Sequence, residues 1–194
     1  EALASFENMR PRVLVHLDEH AQSASPLQVP EALRSQLIND AIDEARPRFP
    51  ETGYRPHPDH LFCYVYTSGT TGLPKAALIR NQRMMGANIL FGHLMHRSSV
   101  DDVIYVTLPL YHSSALFLGW GAALATGAGI ALRRRFSASR FWQDVRDTGA
   151  TSFVYIGELC RYLMNQPVHA LERDHGIRVA VGNGLQPDIW TAFQ

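Results

Sequence analysis

Hydrophobic and polar positions change rhythm along this 194-residue chain. Short aromatic and β-branched runs occupy residues 61–66, 103–108, 130–132, 152–156 and 177–181, and each reads as a buried strand. Between them, apolar residues recur at helical spacing over 82–95, 112–125, 139–147 and 158–165. In the third of these, Ser139 stands where a cap belongs, Phe141, Trp142 and Val145 share one face, and Gly149 stands where the helix should end. Strands alternating with helices predict crossover units. The expected fold class is therefore α/β, a mostly parallel sheet with helices on both faces.

The first sixty residues have a different texture. Seven of the eleven prolines fall there (Pro11, Pro26, Pro30, Pro47, Pro50, Pro56 and Pro58), so long regular elements are not expected. Val13, Leu14 and Val15 suit one strand. Leu33, Leu37, Ile38 and Ile42 have helical spacing, which predicts one helix within residues 30–45. Loop is expected elsewhere.

Residues 115–132 carry no charge and approach the length of a bilayer span. Gly119, Gly121, Gly127 and Gly129 interrupt them, and three arginines follow. The pattern predicts a buried helix, a turn and a buried strand instead. At the far end, Pro187 opens a helix-like run that has no stop signal before Gln194. Residue 1 is Glu, and no signal-peptide pattern follows it. A piece of a larger protein is expected.

Composition narrows the function classes. Hydrophobic residues are 46% and charged residues 19%, a globular balance. Such a chain buries about 70% of its unfolded surface. Lys plus Arg and Asp plus Glu are 18 each, which argues against a generally basic nucleic-acid binder. Cys63 and Cys160 form neither a disulfide framework nor a CxxC metal pair, and a reducing compartment is expected. The pairs His57/His60 and His93/His96 lack a third ligand at zinc spacing.

The chemistry concentrates in Tyr66-Thr67-Ser68-Gly69-Thr70-Thr71-Gly72-Leu73-Pro74-Lys75. Four hydroxyls fall within five positions. Gly69 and Gly72 allow backbone N–H groups to approach an anion, and Lys75 adds a compact positive charge. A loop of this kind after an aromatic strand is suited to a polyphosphate. It is not the Walker loop, whose lysine adjoins the second glycine; here Leu73 and Pro74 intervene and Ala76 follows the lysine.

This run resembles the phosphate loop of the adenylate-forming enzymes. Residues 108–113, 135–142, 155–162 and 182–185 are similar to the very-long-chain acyl-CoA synthetases, or fatty-acid transport proteins. The resemblance covers residue 61 to the end and loosely the first sixty. It implies an incomplete N-terminal adenylate-forming domain, with a loop-rich segment 1–60 and a phosphate-loop subdomain 61–194. It implies ATP-dependent conversion of a long- or very-long-chain fatty acid, through an acyl-adenylate, to acyl-CoA. ATP, Mg²⁺ and coenzyme A would be the small-molecule partners beside the fatty acid, and no nucleic acid is expected.

By resemblance, Tyr66 belongs to the nucleotide site, and Thr67, Ser68, Gly69, Thr70, Thr71, Gly72 and Lys75 contact the phosphates. Gly182, Asn183 and Gly184 pass against the adenine, Tyr111 and His112 face the acyl substrate, and Lys75 and His112 are the catalytic candidates. Residues 76–79 should be extended. The magnesium-binding glutamate, the ribose-binding aspartate and the C-terminal lysine would lie beyond Gln194, leaving no metal ligand in this piece. The isolated chain is therefore expected not to turn over. The resemblance places the parent protein in the cytoplasm or at the cytoplasmic face of a membrane, peripherally attached. The alternative is a fatty-acid binding or transport module that keeps the fold without the chemistry.

Other residues have plainer readings. His112 lies between a strand end and a helix start, which suits either a ligand site or a cap. Arg133, Arg134 and Arg135 read as a solvated run. Met84 and Met85 read as adaptable core, and Glu158 complements a helix dipole.

Overall fold

The computed structural model describes residues 12–15, 34–37, 53–67, 75–133 and 135–193. The chain divides into two compact units between Tyr54 and Arg55. In the first unit, β1 (Arg12–Val15) pairs in parallel with β2 (Arg34–Leu37). The strand expected at Val13–Val15 is present. The helix expected within 30–45 is not what residues 34–37 form; its remainder lies outside the described residues. A short isolated helix is marginal in water, whereas pairing gives both backbones their hydrogen bonds.

In the second unit, β3 (Leu61–Thr67) runs antiparallel to β4 (Lys75–Arg80), with a bulge near Cys63. Residues 76–79 are extended, as the resemblance implies. The expectation of a buried strand at 61–66 needs correction: Tyr66 is 71% exposed, and Leu61, Phe62 and Tyr64 are exposed too. Aromatic and β-branched residues suit a pleated strand whether or not its face is covered. Among the described residues, no third strand flanks this hairpin.

The chain then enters α1 (Asn81–Ile89), which widens into a π-helical segment, Leu90–His96. Met84 is buried and Met85 exposed, so the pair divides between core and surface. Four parallel strands follow: β5 (Val103–Val106), β6 (Gly129–Leu132), β7 (Ser152–Ile156) and β8 (Val179–Asn183). Their spatial order is β6-β5-β7-β8.

Helices cover both faces, which is why the central strands are nearly continuous apolar runs. On one face, Ile104, Val106 and Val154 pack with Ala115 of the π-helical segment Ser114–Gly121 and with Ala122 and Ala123 of α2 (Ala122–Thr126). On the other, Tyr105, Ala131 and Phe153 pack with Phe141 and Val145 of α3 (Phe141–Thr148) and Leu163 of α4 (Gly157–Met164). Phe141 meets Phe153 edge-on with ring centroids 5.1 Å apart, a favoured aromatic geometry. The uncharged stretch 115–132 thus places Ala115, Ala122, Ala123 and Ala131 in the core while Leu124 and Leu132 are exposed, and Gly127 (φ +75°) supplies its turn. Among the described residues, no helix is long and apolar enough to cross a membrane. The last element is α5 (Pro187–Phe193).

One local expectation is corrected and another refined. Ser139 does not cap α3: it sits in a 3₁₀ turn, Ala138–Arg140, with its Oγ 3.2 Å from that of Ser137. That extra turn moves the helix start to Phe141, where no side chain caps it, while Gly149 ends α3 with φ +64°. Arg133 is solvated, with its side chain 42% exposed, but it also has a fixed partner. Its guanidinium pairs with Asp144, whose side chain on α3 is only 4% exposed and also accepts the Tyr105 hydroxyl at 3.0 Å. A carboxylate this buried needs a counter-charge. Arg134 lies outside the described residues, and Arg135 is exposed.

Candidate functional site

Open parallel sheets bind ligands beyond their carboxyl ends, where successive crossovers leave in opposite directions. Here the connection from β5 runs to β6 on one side, and that from β7 runs to β8 on the other. The crevice therefore lies between the carboxyl ends of β5 and β7. Thr107 ties these strands together at that point, its Oγ1 donating to the Val154 carbonyl at 2.5 Å. The sequence reading missed Thr107; its one signal was a hydroxyl inside an apolar run.

The turn after β5 carries two candidates. Tyr111 is 90% exposed, and His112 is exposed beside it. The His112 N–H donates to the Pro109 carbonyl at 2.9 Å, and the Ser114 N–H donates to His112 Nδ1 at 3.2 Å. A ring nitrogen that accepts carries no proton, so the neutral ring keeps its proton on Nε2. His112 thus acts as a local cap and still presents a donor.

Across the crevice, the ends of β7 and β8 meet backbone to backbone. A Cβ on Gly157 would lie 1.7 Å from the Gly184 carbonyl oxygen, and one on Gly182 would lie 2.1 Å from that of Tyr155. Gly184 itself has φ +72°. Only glycine meets these demands. The result is a strip free of side chains at Gly157, Gly182 and Gly184, interrupted by Asn183, against which a flat ring could lie. Gly157 was also missed: it stood in a quoted motif, but its close neighbour is remote in sequence.

Tyr66, Thr67 and Lys75 sit together on the hairpin, with Thr67 directly opposite Lys75. They bracket the hydroxyl-rich loop. Ser68, Gly69, Thr70, Thr71 and Gly72 lie outside the described residues. The structure thus groups Tyr111, His112, Gly182, Asn183 and Gly184 along one sheet edge and Tyr66, Thr67 and Lys75 at the hairpin mouth.

The histidine pairs have other work. Nδ1 of His57 accepts the Asp59 N–H, and Nδ1 of His60 accepts the His57 N–H, each at 3.2 Å. His96 is fully buried, with Nδ1 2.9 Å from Ser152 Oγ and Nε2 2.9 Å from the Leu118 carbonyl. Burial lowers its pKa to about 4. Among the described residues, no group of three His, Cys, Asp or Glu could hold a metal ion. They therefore supply no carboxylate set for the implied Mg²⁺.

Comparison with known proteins identifies the lineage. A model of the family described as AMP-binding enzyme matches residues 3–194. Long-chain fatty acid transport protein 6 of Mus musculus is 41% identical over 195 residues, covering 100% of this chain and 30% of that protein. The medium/long-chain-fatty-acid–CoA ligase FadD6 of Mycobacterium tuberculosis is 48% identical over 130 residues, 67% of this chain and 22% of its own. The chain thus spans less than a third of these relatives. In fold, it is similar to ATP-bound MatB from Rhodopseudomonas palustris, with TM-score 0.67 and 23% identity over 80% of this chain and 31% of that one. The inhibitor-bound N-terminal domain of FACL13 from Mycobacterium tuberculosis gives TM-score 0.70 and 18% identity, covering 88% of this chain and 44% of that one. Both belong to the α/β architecture described above, and the match of the family model over nearly the whole length places this chain in the AMP-binding enzyme family.

Proposed function

We propose that the protein containing this chain is a fatty acid–CoA ligase acting on a long- or very-long-chain fatty acid. The observation that carries the reading is the β3–β4 register, which sets Lys75 opposite Thr67 at the mouth of a loop of hydroxyls and glycines. The relatives that are themselves named fatty-acid–CoA ligases support it.

The reaction is a problem of charge. A fatty carboxylate attacks the α-phosphorus of ATP, a P–O bond forms, and the bond to the departing pyrophosphate breaks. The thiolate of coenzyme A then attacks the acyl carbon of the adenylate and displaces AMP. The carboxylate is a weak nucleophile and the phosphates repel it. Fixed donors that hold the β- and γ-phosphates favour the charge that develops on leaving pyrophosphate. In this proposal Thr67, Ser68, Thr70 and Thr71 offer hydroxyls, Gly69 and Gly72 offer backbone N–H groups, and Lys75 supplies the cation. Tyr66 flanks the loop. His112 donates from Nε2 to one carboxylate oxygen and so orients the other, with Tyr111 against the acyl chain. Gly182, Asn183 and Gly184 bound the adenine. Mg²⁺, when bound, would screen the phosphates; the described residues give it no ligand set, and no step here is assigned to it.

The test is fatty-acid-dependent exchange of pyrophosphate into ATP by the full-length protein. Lys75→Ala should lower the exchange rate about 100-fold, and His112→Ala should lower it with stability unchanged. Absence of exchange in the unaltered protein, alongside retained fatty-acid binding, would favour the second reading. That reading is a binding or transport module, and the names of several relatives support it.

A further inference from the structure

The crevice opens where two strand pairings end at different heights. β5 pairs with β7 as far as Val106 and Val154, whereas β7 pairs with β8 two residues further, as far as Ile156 and Asn183. Just past Val106 a side chain takes over from the backbone ladder. The Thr107 hydroxyl donates to the Val154 carbonyl at 2.5 Å, and both residues are buried. A hydroxyl can stand in for a main-chain donor in this way. The bond lies at the point of divergence. Beyond it, β5 runs into the turn that carries Tyr111 and His112, and β7 runs on to Gly157.

The segment from Thr107 to His112 has little slack. Leu108 is buried in one core cluster with Val106 and Ala115. The His112 N–H closes a turn onto the Pro109 carbonyl at 2.9 Å, and the Leu116 N–H donates to the His112 carbonyl at 3.0 Å. The π-helical segment that follows sits hard on β5, for a Cβ on Gly119 would lie 2.5 Å from Val106 Cγ2. Close-packed elements transmit a shift instead of absorbing it. A change in where β5 ends therefore carries His112 with it. On the other side, Gly182 and Asn183 are fixed by register to Tyr155 and Ile156 of β7. His112 thus stands on β5 and the glycine strip on β7, and Thr107 joins the two at the head of the crevice.

We propose that Thr107 is a positioning residue for formation of the acyl-adenylate: its hydroxyl sets the separation between His112, which orients the fatty carboxylate, and the backbone strip at residues 182–184, which bounds the adenine. This rests on the fatty acid–CoA ligase reading. Thr107 acts through His112 and the strip, without touching a substrate. In-line attack on the α-phosphorus needs carboxylate and nucleotide aligned, and a misplacement of about 1 Å can cost about 100-fold in rate. Without the hydroxyl the strands keep their backbone ladder, so a smaller loss is expected here.

The test uses the full-length protein and compares Thr107→Val, which keeps the shape and loses the hydroxyl, with Thr107→Ser, which keeps the hydroxyl. In fatty-acid-dependent pyrophosphate exchange, Thr107→Val should lower kcat about tenfold and leave the KM for ATP and for fatty acid within about twofold. Thr107→Ser should recover most of kcat. In a His112→Ala background, Thr107→Val should cost less than about twofold more, because the group it positions is gone. An unchanged kcat in Thr107→Val overturns the proposal, as does a rise in KM at constant kcat. An equal loss in Thr107→Ser marks a packing role and overturns it, and so does a full tenfold further loss without His112. Should Thr107→Val fail to fold, Thr107→Ala against Thr107→Ser carries the same comparison, and equal rates overturn the proposal. Absence of exchange in the unaltered protein overturns the ligase reading and this proposal together. Exchange in the unaltered protein, with any of the contrary outcomes above, overturns this proposal alone.

Discussion

The two edges of the parallel sheet are built on opposite principles. At the amino edge, Asp102 accepts the Ser99 N–H at 2.8 Å and the Arg178 guanidinium at 2.5 Å. Arg178 also reaches the carbonyls of His96 and Arg97. His96 meets Ser152 at the first residue of β7. Asp102, His96 and Ser152 are buried there, and each has a hydrogen-bond partner. At the carboxyl edge, Gly157, Gly182 and Gly184 leave the backbone bare and Tyr111 and His112 are exposed, while Thr107 is buried and bonded to the Val154 carbonyl. One edge carries the larger network of bonded polar groups, and the other presents bare glycine backbone and two exposed side chains beside Thr107. A parallel sheet permits this division because all four amino ends lie on the same side.

The division can be attacked from each edge. The largest effect is expected where the carboxyl edge is also structural. Gly157→Ala puts a methyl group into the Gly184 carbonyl, and should cost about 3 kcal/mol. Urea denaturation should show that loss together with reduced pyrophosphate exchange; a loss in neither would mean the two strand ends are not in contact. At the amino edge, Asp102→Ala removes the partner of Arg178 and should cost about 2 kcal/mol, while the folded variant keeps the KM of every substrate. A changed KM would break the separation of roles.

A third effect is spread over a range of pH. His96 falls from 6.5 to about 4 on folding, chiefly through burial. A lowered folded pKa means that the unfolded chain takes up the proton first. Stability should be complete above pH 6.5 and decline as pH falls toward 4, with a slope of at most about 1.4 kcal/mol per unit. His96→Gln should flatten that slope in chemical denaturation. Asp102 has the same sign at lower pH: Arg178 holds its carboxyl well below the ordinary range, so its contribution declines progressively as pH falls below 3.8.

Much of this fold was legible because parallel strands buried on both faces leave unbroken apolar runs. Residues 152–156 form a strand with the bounds that the sequence suggested. Gly149 marked a helix end because its backbone requirement is local. What escaped was non-local. Whether Tyr64 and Tyr66 are covered depends on a neighbour that composition does not encode. The need for glycine at 157 arises from residue 184. The partner of Arg133 lies eleven residues on, across a helix turn. The π-helical widening at 114–121, just past His112, adds to each turn a residue that hydrophobic spacing does not reveal. At the candidate site, the hydroxyl- and glycine-rich run could be singled out from its chemistry, and the strip of bare backbone at Gly157, Gly182 and Gly184 could not.

The two cysteines give the molecule an internal clock. Cys160 is sealed inside α4, and burial lifts its thiol to about 11. An alkylating reagent needs the thiolate, so at neutral pH it reaches Cys160 only when that helix lifts from the sheet. Cys63 is half-buried on the hairpin and is open to modification without such a motion. Two labelling rates, followed by mass spectrometry on one sample, would therefore time the lifting of α4 against Cys63 as an internal reference, with no engineered probe.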